Sequence, residues 1–319
     1  MDLNLDLDLT QQTISGKFIH RLLDTLDVSC ILCTANVKIL LVMNDLQLTN
    51  AFNTLVGSSE AIRLLNFKIL AKHLIGRLFS SSSDKDSKWR EWLAGLIDGD
   101  GSFQLSKKGY ASLEITMDIR DEHALQVIKN KYGGSIKLRS GAKALRYRLH
   151  HKKGLLALIN DVNGQIRNSN RLLQLNKICH KYGLVLIYPD NLTYNNGWLS
   201  GMFDADGTVT INSTNTQLSI SVSQKTAELL KPLIALYGGN IYIDRGSSKS
   251  FKWYITKRED ILSLLEYFKL YSPKSAKKNR LHLISQFYEL KDLKAHKSLP
   301  GTLLNRAWNL FFNKWLKYD

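Results

Sequence analysis

The sequence predicts an α+β protein built from two similar subdomains, each with the element order αββαββα. Three observations support this prediction. A ten-residue segment, WLAGLIDGDG at residues 92–101, recurs as WLSGMFDADG at residues 198–207. The similarity continues beyond these segments, since YGGSI at residues 132–136 returns as YGGNI at residues 237–241. Within each copy, the spacing of apolar residues switches between the period of a strand and that of a helix.

The repeat sets the expected domain boundaries. We expect a first subdomain over residues 87–188 and a second over residues 189–319, the latter with a C-terminal tail. Residues 1–86 fall outside the repeat. Helical spacing at residues 17–27 and 59–79 predicts a mostly helical N-terminal extension, although its fold is uncertain from sequence.

The repeated segment itself predicts a helix at the start of each subdomain. It has little polar face, so the helix should be buried on most sides. Ala94 and Gly95 in one copy, and Ser200 and Gly201 in the other, are small residues. They would let the two helices approach closely about a pseudo-two-fold axis.

After each helix, apolar and polar residues alternate in short runs separated by turn residues. In the first copy this alternation predicts four antiparallel strands, at residues 102–106, 112–117, 135–139 and 145–150. A helix over residues 122–132 should separate the two hairpins. A helix from about Lys153 and another ending near Tyr182 should close the unit. Each sheet should have one apolar face against the helices and one polar face.

The charge of the chain is concentrated in the repeat. The 319 residues include 44 Lys and Arg and 28 Asp and Glu, for a net charge of +16. Residues 1–90 contribute +1 of this and residues 91–319 contribute +15. Such a basic region is typical of a nucleic-acid-binding protein. No apolar run reaches the roughly 18 residues of a membrane-spanning helix, so membrane association is not expected.

Two acids end each copy of the repeated segment: Asp98 and Asp100 in the first, Asp204 and Asp206 in the second. The C-terminal end of a helix disfavours an anion by roughly 0.3–1 kcal/mol. Two such pairs brought together would repel each other, and a divalent cation removes that conflict. Carboxylate oxygens suit Mg²⁺ in particular. The alternative, that these are ordinary turn residues, is acceptable for one copy but much less so for two in a basic chain.

The two segments resemble the signature of the LAGLIDADG homing endonucleases. Residues 93–101 differ from the family's eponymous sequence only by Gly99 in place of alanine. The second copy has the conservative departures Ser200, Met202 and Phe203. Two copies in one chain resemble the monomeric, two-motif members. The resemblance implies antiparallel sheets that form a DNA-binding saddle, and a site-specific, Mg²⁺-dependent endonuclease that makes a double-strand break at a long asymmetric target during intron homing.

The resemblance leaves other functions open. Some family members are RNA maturases, which assist splicing of their host group I intron, alone or in addition to cleaving DNA. A third reading is a transcription-regulator-like DNA binder on the same fold. Intact acids in both copies favour cleavage. By resemblance we expect an organelle-encoded protein, in the mitochondrion before the chloroplast, with double-stranded DNA and, in the alternative, intron RNA as partners.

The resemblance also implies which residues hold the metal ions. These are the last acids of the two segments, Asp100 and Asp206, with the backbone carbonyls of Gly99 and Ala205 as further ligands. DNA phosphate oxygens and water would complete the coordination of two or more divalent ions. Each acid would then serve the cut in one strand, as in two-metal hydrolysis.

Two further catalytic side chains are implied by the family pattern. A polar residue after the second strand corresponds to Gln224, and a lysine near the third helix corresponds to Lys274 or Lys277. The repeat offset places Ile119 opposite Gln224, and no lysine stands at residues 167–170 of the first copy. The two half-sites are therefore expected to be chemically unequal.

The remaining polar positions are expected to shape the turn or to contact DNA. Asp98 and Asp204 should bond backbone amides and are second choices as metal ligands. The polar faces of the strands should lie in a major groove, where Arg and Gln read base edges. The expected DNA contacts are Gln104, Ser106, Lys137, Arg139, Arg146, Arg148, Thr210, Asn212, Tyr242, Arg245, Lys252 and Tyr254.

Overall fold

A computed structural model of the chain describes residues 84–244 and 249–318. These residues belong to a unit that spans residues 80–319. The predicted helical extension over residues 1–86 lies outside the described residues, except for its last three positions. The predicted DNA contact Arg245 also lies outside them.

The first subdomain begins with a helix, α1, that covers residues 84–100. The elements that follow are β1 (Gly101–Leu105), β2 (Ala111–Asp118), α2 (Glu122–Tyr132), β3 (Ser135–Leu138), β4 (Ala144–Leu149), α3 (Lys152–Val162) and α4 (Ser169–Tyr182). A turn of 3-10 helix, Ile119–Asp121, joins β2 to α2. The predicted order and hairpins are confirmed, and both helices expected after the second hairpin are present.

The second subdomain repeats this order after a connecting segment. Its elements are α5 (Trp198–Asp206), β5 (Gly207–Asn212), β6 (Gln217–Gln224), α6 (Lys231–Tyr237), β7 (Asn240–Asp244), β8 (Ser250–Ile255), α7 (Arg258–Leu270), α8 (Lys278–Asp292) and α9 (Leu303–Leu316). Helix α9 follows the repeat and has no counterpart in the first subdomain. None of the helices in the described part of the chain is long and apolar enough to cross a membrane.

Each subdomain contains one antiparallel sheet. The strand orders are β1-β2-β4-β3 in sheet one and β5-β6-β8-β7 in sheet two, so the topology is the same in both. Strand β2 shows the predicted alternation, since Ala111, Leu113, Ile115 and Met117 are buried and their neighbours are half-buried. The apolar faces of both sheets join the helices in a hydrophobic core.

Helices α1 and α5 pack backbone against backbone through their glycines. A Cβ atom on Gly95 would lie 2.0 Å from the Trp198 carbonyl oxygen, and one on Gly201 would lie 1.8 Å from that of Trp92. Only glycine permits this approach, because any side chain would overlap the partner helix. The predicted close contact of the small residues is therefore confirmed, and it places the C-terminal ends of the two helices side by side.

Candidate active site at the paired helix ends

Asp100 and Asp206 are the last residues of α1 and α5, and they line one cleft. The cleft has a volume of ≈ 610 Å³ and is lined by residues of both subdomains, Lys277 among them. The helix ends are so close that a Cβ atom on Gly99 would lie 2.7 Å from Asp206 Oδ2 and 2.3 Å from the Ala205 Cβ. An alanine at position 99 would therefore overlap the end of α5 in this chain, and glycine avoids the overlap.

The environment of the two acids disfavours their negative charges. Burial, together with the nearby charge of Asp206, raises the pKa of Asp100 to about 7, while Lys277 and Arg171 oppose the shift. Burial also raises the pKa of Asp206, against the opposing effects of Lys277 and of a hydrogen bond from Gln224. Carboxylates placed together in this way are typical of a functional site, since their mutual repulsion does not stabilise the fold.

Asp98 and Asp204, the other acids of each pair, are both buried and act as latches between elements. Asp98 Oδ2 accepts hydrogen bonds from the backbone N–H of Arg167 at 2.8 Å and from the Trp198 indole N–H at 2.7 Å. The backbone N–H of Asn168 donates to its Oδ1 at 3.1 Å. The predicted role in bonding backbone amides is thus what the geometry shows. Burial raises the pKa of Asp98 to about 6, against the effect of these hydrogen bonds.

The second latch repeats the first. Asp204 accepts from the backbone N–H groups of Lys274 at 2.7 Å and Ser275 at 2.9 Å. The Trp92 indole N–H donates to it from the other subdomain at 2.8 Å. Because each tryptophan bonds the acid of the opposite helix, the two latches cross-link the subdomains at the pseudo-two-fold axis.

Gln224 lies beside one of the two acids, as the family pattern implies. Its side-chain amide donates to Asp206 Oδ2 at 2.6 Å. In the described structure, no comparable hydrogen bond to the Asp100 carboxylate is present. The Gln224 amide therefore fixes the orientation of the Asp206 carboxylate, and no described side chain does the same for Asp100.

The strand register corrects the position predicted opposite Gln224. Ile115 pairs with Gly101 and Tyr147 in sheet one, and Val222 occupies the same place in sheet two, between Gly207 and Trp253. The counterpart of Gln224, two residues further on, is therefore Met117 and not Ile119. The sequence alignment was wrong here because it slipped by two residues, which preserves the face of a strand.

The structure separates the two candidate lysines. Lys277 Nζ donates to the backbone carbonyls at the end of α5, at 2.8 Å from Asp204 O and 2.6 Å from Ala205 O. Burial lowers its pKa, and the surrounding carboxylates oppose this. Lys274 Nζ lies instead over the Trp92 ring, 4.7 Å from its centroid. Lys277 is thus the lysine that lines the cleft.

In the first subdomain an arginine occupies the place next to the helix end. Arg171 Nη2 donates to the Gly99 carbonyl at 3.3 Å. The sequence did not indicate it, because Arg171 lies just outside residues 167–170, where the family pattern implies a lysine. The arginine at the aligned position of the second subdomain, Arg280, donates instead to the Val209 carbonyl at 2.9 Å.

Two hydrogen-bonded contacts between the subdomains, here called straps, were not predicted from the sequence. The Asp121 carboxylate accepts from the backbone N–H of Ala276, at 2.7 Å, in the loop that carries Lys277. In the opposite direction, the Ser169 hydroxyl donates to the Glu228 carboxylate at 2.6–2.7 Å. Both acids follow the second strand of their sheet. Their position after the end of the alternating pattern was the only available signal.

The donor set at the helix ends fits a hard divalent cation. Of the oxygen ligands predicted for it, those of Asp100, Ala205 and Asp206 belong to residues that line the cleft. The carbonyls of Gly99 and Ala205 accept hydrogen bonds from Arg171 and Lys277, respectively. Oxygen donors of this kind suit Mg²⁺. No group of three or more His, Cys, Asp or Glu side chains is placed to hold a metal within the described residues. Further ligands would have to come from substrate or solvent.

The predicted DNA contacts that the structure describes lie on the polar faces of the two sheets. In sheet one they line a groove of ≈ 870 Å³, formed by Gln104, Ser106, Lys137, Arg139, Arg146 and Arg148 with their neighbours. In sheet two, Tyr242 and Tyr254 make an edge-to-face ring contact, and Tyr242 is the register partner of Lys252. Thr210 hydrogen-bonds Ser219 at 2.8 Å, and Asn212 accepts from the backbone N–H of Thr214.

A cleft with two half-buried carboxylates, set between two basic subdomains with polar sheet faces, defines a class of nucleic-acid-binding protein with a candidate metal-dependent centre. The family model described as LAGLIDADG endonuclease matches residues 93–182 and 199–288. The chain belongs to this family.

Several curated relatives are similar over most of the chain. The probable intron-encoded endonuclease aI2 of Debaryomyces hansenii is 41% identical over 258 residues, which is 75% of this chain and 39% of the relative. The intron-encoded RNA maturase bI4 of Saccharomyces cerevisiae is 42% identical, over 84% of this chain and 44% of the relative. This chain therefore spans less than half the length of either. The intron-encoded DNA endonuclease ai2a of Dictyostelium discoideum is 38% identical, over 72% and 75% respectively.

Solved structures share the fold at low sequence identity. The meganuclease I-SmaMI bound to uncleaveable DNA superposes with a TM-score of 0.55 at 19% identity, over 70% of this chain and 97% of that one. The I-LtrWI LAGLIDADG homing endonuclease bound to target DNA gives 0.54 at 14% identity, over 72% and 97%. These matches support the two-subdomain α+β architecture.

Proposed function

We propose that this chain is a site-specific, Mg²⁺-dependent DNA endonuclease that makes a double-strand break at a long asymmetric target, in the process of intron homing. The observation on which the proposal rests is the pair Asp100 and Asp206, half-buried side by side at the ends of two matched helices. The names of the relatives, which include intron-encoded DNA endonucleases, support it.

The residues of the cleft have distinct roles in this proposal. Asp100 and Asp206 hold the divalent ions, with the carbonyls of Gly99 and Ala205. Bound there, such ions supply Lewis-acid activation of water and stabilisation of the leaving oxygen. Gln224 fixes the orientation of Asp206 through its amide. Lys277 places a positive charge where a phosphate enters the cleft. This charge stabilises the negative charge that develops on the phosphate during hydrolysis.

The rest of the chain binds and positions the DNA. The two sheets carry the polar side chains that contact the major groove, and the net charge of +15 over residues 91–319 neutralises phosphates. Binding should therefore weaken steeply with added salt. Because one chain supplies both acids, we propose that it acts as a monomer. We propose the mitochondrion as its location, and the relatives named as intron-encoded proteins support an organellar gene.

Cleavage of intronless-allele DNA tests the proposal. A library of such alleles is incubated with the purified protein and Mg²⁺, beside the Asp100→Asn/Asp206→Asn double variant. We expect a double-strand break at one site with the wild type and none with the variant. The absence of any break, with the two proteins indistinguishable, would refute the proposed activity.

A second candidate function is an RNA maturase that assists splicing of the host intron, alone or in addition to cleavage. The 42% identity to the relative named RNA maturase bI4, over 84% of this chain, favours it. The test is the splicing rate of the host intron RNA with and without the protein. An unchanged rate at saturating protein would exclude this function.

A further inference from the structure

The polar faces of the two sheets differ in charge at equivalent positions. Tyr147 and Trp253 are equivalent because the Tyr147 hydroxyl and the Trp253 indole N–H each donate to the carbonyl of the first glycine after the preceding helix, at 2.8 and 2.9 Å. The register then matches Arg146 with Lys252 and Arg148 with Tyr254. The next strand differs in the same way, since Glu114 stands where sheet two has Ser221. Sheet one thus carries a charged cluster that sheet two replaces with hydroxyl groups and one lysine.

Glu114 is the central member of this cluster. Its Oε1 lies 2.7 Å from Arg148 Nε, its Oε2 lies 3.9 Å from Arg146 Nε, and its side chain is only 14% exposed. The two arginine side chains are 43% and 54% exposed. The carboxylate therefore pairs closely with Arg148 and lies at the outer limit of an ion pair with Arg146, and both arginines line the groove.

The presence of the Glu114 carboxylate on this surface is not explained by DNA affinity or by fold stability. It lies on a surface that must accept polyanionic DNA, so on charge alone it weakens binding. A partly exposed ion pair also adds little to the stability of the fold. Glu114 can instead contribute by orienting the arginines before DNA binds. A guanidinium that is already held in place loses less conformational entropy when it forms a paired hydrogen bond.

We propose that Glu114 is a specificity-determining positioning residue, which holds Arg146 and Arg148 to read guanines in the half-site under sheet one. This rests on the proposed function. An arginine fork matches the O6 and N7 acceptors of guanine in the major groove. The two arginines are two residues apart on one strand, about 6.7 Å at 3.3–3.4 Å per residue. Base pairs rise by about 3.4 Å, so the two guanines should be roughly two base pairs apart.

The half-site under sheet two should lack this pattern. Tyr254, which replaces Arg148 there, offers a single hydroxyl group in place of an arginine fork. Ser221, which replaces Glu114, is buried and carries no charge. The target is therefore asymmetric in base composition, with the guanine requirement confined to one half.

Selection of bound sites from a randomised DNA library, with Ca²⁺ in place of Mg²⁺ so that binding is read without cleavage, tests the proposal. We expect the wild type to select two guanines about two base pairs apart in one half-site. The Glu114→Ser variant, which carries the residue of sheet two, should lose roughly 10-fold or more of the preference at both positions. The Arg148→Lys variant, which keeps the charge but lacks the fork, should lose it at one.

The control is Asp292→Asn, which removes the carboxylate of a similar exposed pair with Arg258, at 2.7–2.8 Å, outside the groove of sheet one. It should leave the selected sequence unchanged. Guanine selection by Glu114→Ser equal to that of the wild type would overturn the role of Glu114 and leave the proposed endonuclease intact. If Glu114→Ser does not fold, unchanged selection by Arg148→Lys would overturn the inference. A wild type that selects no sequence at all would overturn both proposals.

Discussion

The two helix ends are matched, whereas the side chains around them are not. Helices α1 and α5 place Asp100 and Asp206 in one cleft, and the latches at Asp98 and Asp204 repeat almost contact for contact. Next to this symmetric centre, Asp206 has the amide of Gln224 at 2.6 Å. Asp100 has no such bond from a described residue, and the register places a buried methionine at the equivalent position.

The difference shows where packing constrains the repeat. The helix pair tolerates almost no change, since its glycines face the partner backbone at distances that exclude a side chain. The surrounding strands and loops face solvent or the cleft, so they were able to diverge. We infer that the symmetric part fixes where the metal ions and the two acids lie, and that the asymmetric part sets how fast each strand is cut.

The largest expected effect comes from breaking the symmetric part. Gly201→Ala would place a Cβ atom 1.8 Å from the Trp92 carbonyl oxygen, so the helices would have to separate. We expect a loss of about 3 kcal/mol in the free energy of unfolding, or failure to fold. Urea denaturation measures it. Gly197→Ala is the control, because its Cβ meets its nearest atom at 3.0 Å; a similar loss in both variants would contradict the account of the helix pair.

Removal of the cleft lysine should have the next largest effect. Lys277→Met is expected to slow cleavage about 100-fold, because a positive charge beside the reacting phosphate is lost. Target binding measured with Ca²⁺ should change little. Lys274→Met, which removes the lysine over Trp92, is the matched control and should cleave at close to the wild-type rate. Equal effects of the two substitutions would contradict the assignment of Lys277, and not Lys274, as the lysine that acts in the cleft.

The asymmetry beside the acids can be tested by removing it. Gln224→Met gives the second subdomain the residue that the first has at the equivalent position, Met117. Because Asp206 would lose its orienting hydrogen bond, we expect the cut of one strand to slow by about 10-fold, consistent with about 1.4 kcal/mol for a charge-assisted bond. Strand-specific end labels report the two rates. Equal slowing of both strands would contradict the assignment of one acid to each strand.

The pH dependence of stability tests how unfavourable the negative charge of Asp100 is in the folded protein. The pKa of Asp100 is raised to about 7, so the folded state binds this proton more tightly than the unfolded state does. The stability that results is complete below about pH 4 and is lost as the pH rises through 7. In EDTA at pH 8, Asp100→Asn should therefore raise the free energy of unfolding, by about 1–2 kcal/mol.

Thermal denaturation with and without Mg²⁺ gives the contrast. Mg²⁺ should stabilise the wild type at pH 8 and should have a smaller effect on Asp100→Asn, because a ligand has been removed. A wild type whose stability in EDTA does not fall between pH 4 and 8 relative to the variant would show that the negative charge of Asp100 does not destabilise the fold.

The smallest expected effects concern the straps between the subdomains. Asp121→Ala leaves the backbone N–H of Ala276 without its partner, and we expect a loss of about 1 kcal/mol. Glu228→Ala should cost less, since its contact with Ser169 is exposed. Chemical denaturation of both variants gives the comparison. A greater loss for Glu228→Ala would reverse the expected ranking.

Much of the fold was predictable because the repeat constrains it twice. The period of apolar residues placed the strands and gave the bounds of α2, residues 122–132, as the structure has them. The glycines and the small residues beside them predicted the helix contact. These features depend on local spacing and on packing, which one sequence records directly.

The side chains around the acids were less predictable. A two-residue slip in alignment leaves the face of a strand unchanged, so Ile119 was placed where Met117 lies. The choice between Lys274 and Lys277 depends on the path of a loop, as does the contact of Arg171 with the end of α1. Asp121 and Glu228 reach across the subdomain boundary, and no spacing within one copy reports such contacts.

The most direct test of the central account is strand-resolved cleavage by the single variants of the two acids. With Mg²⁺ and a double end-labelled target, the wild type should cut both strands, although at unequal rates. Asp206→Asn should leave at most a nick in one strand, and Asp100→Asn at most a nick in the other. Clean double-strand cleavage by either variant would contradict the account that each of the two carboxylates serves one strand.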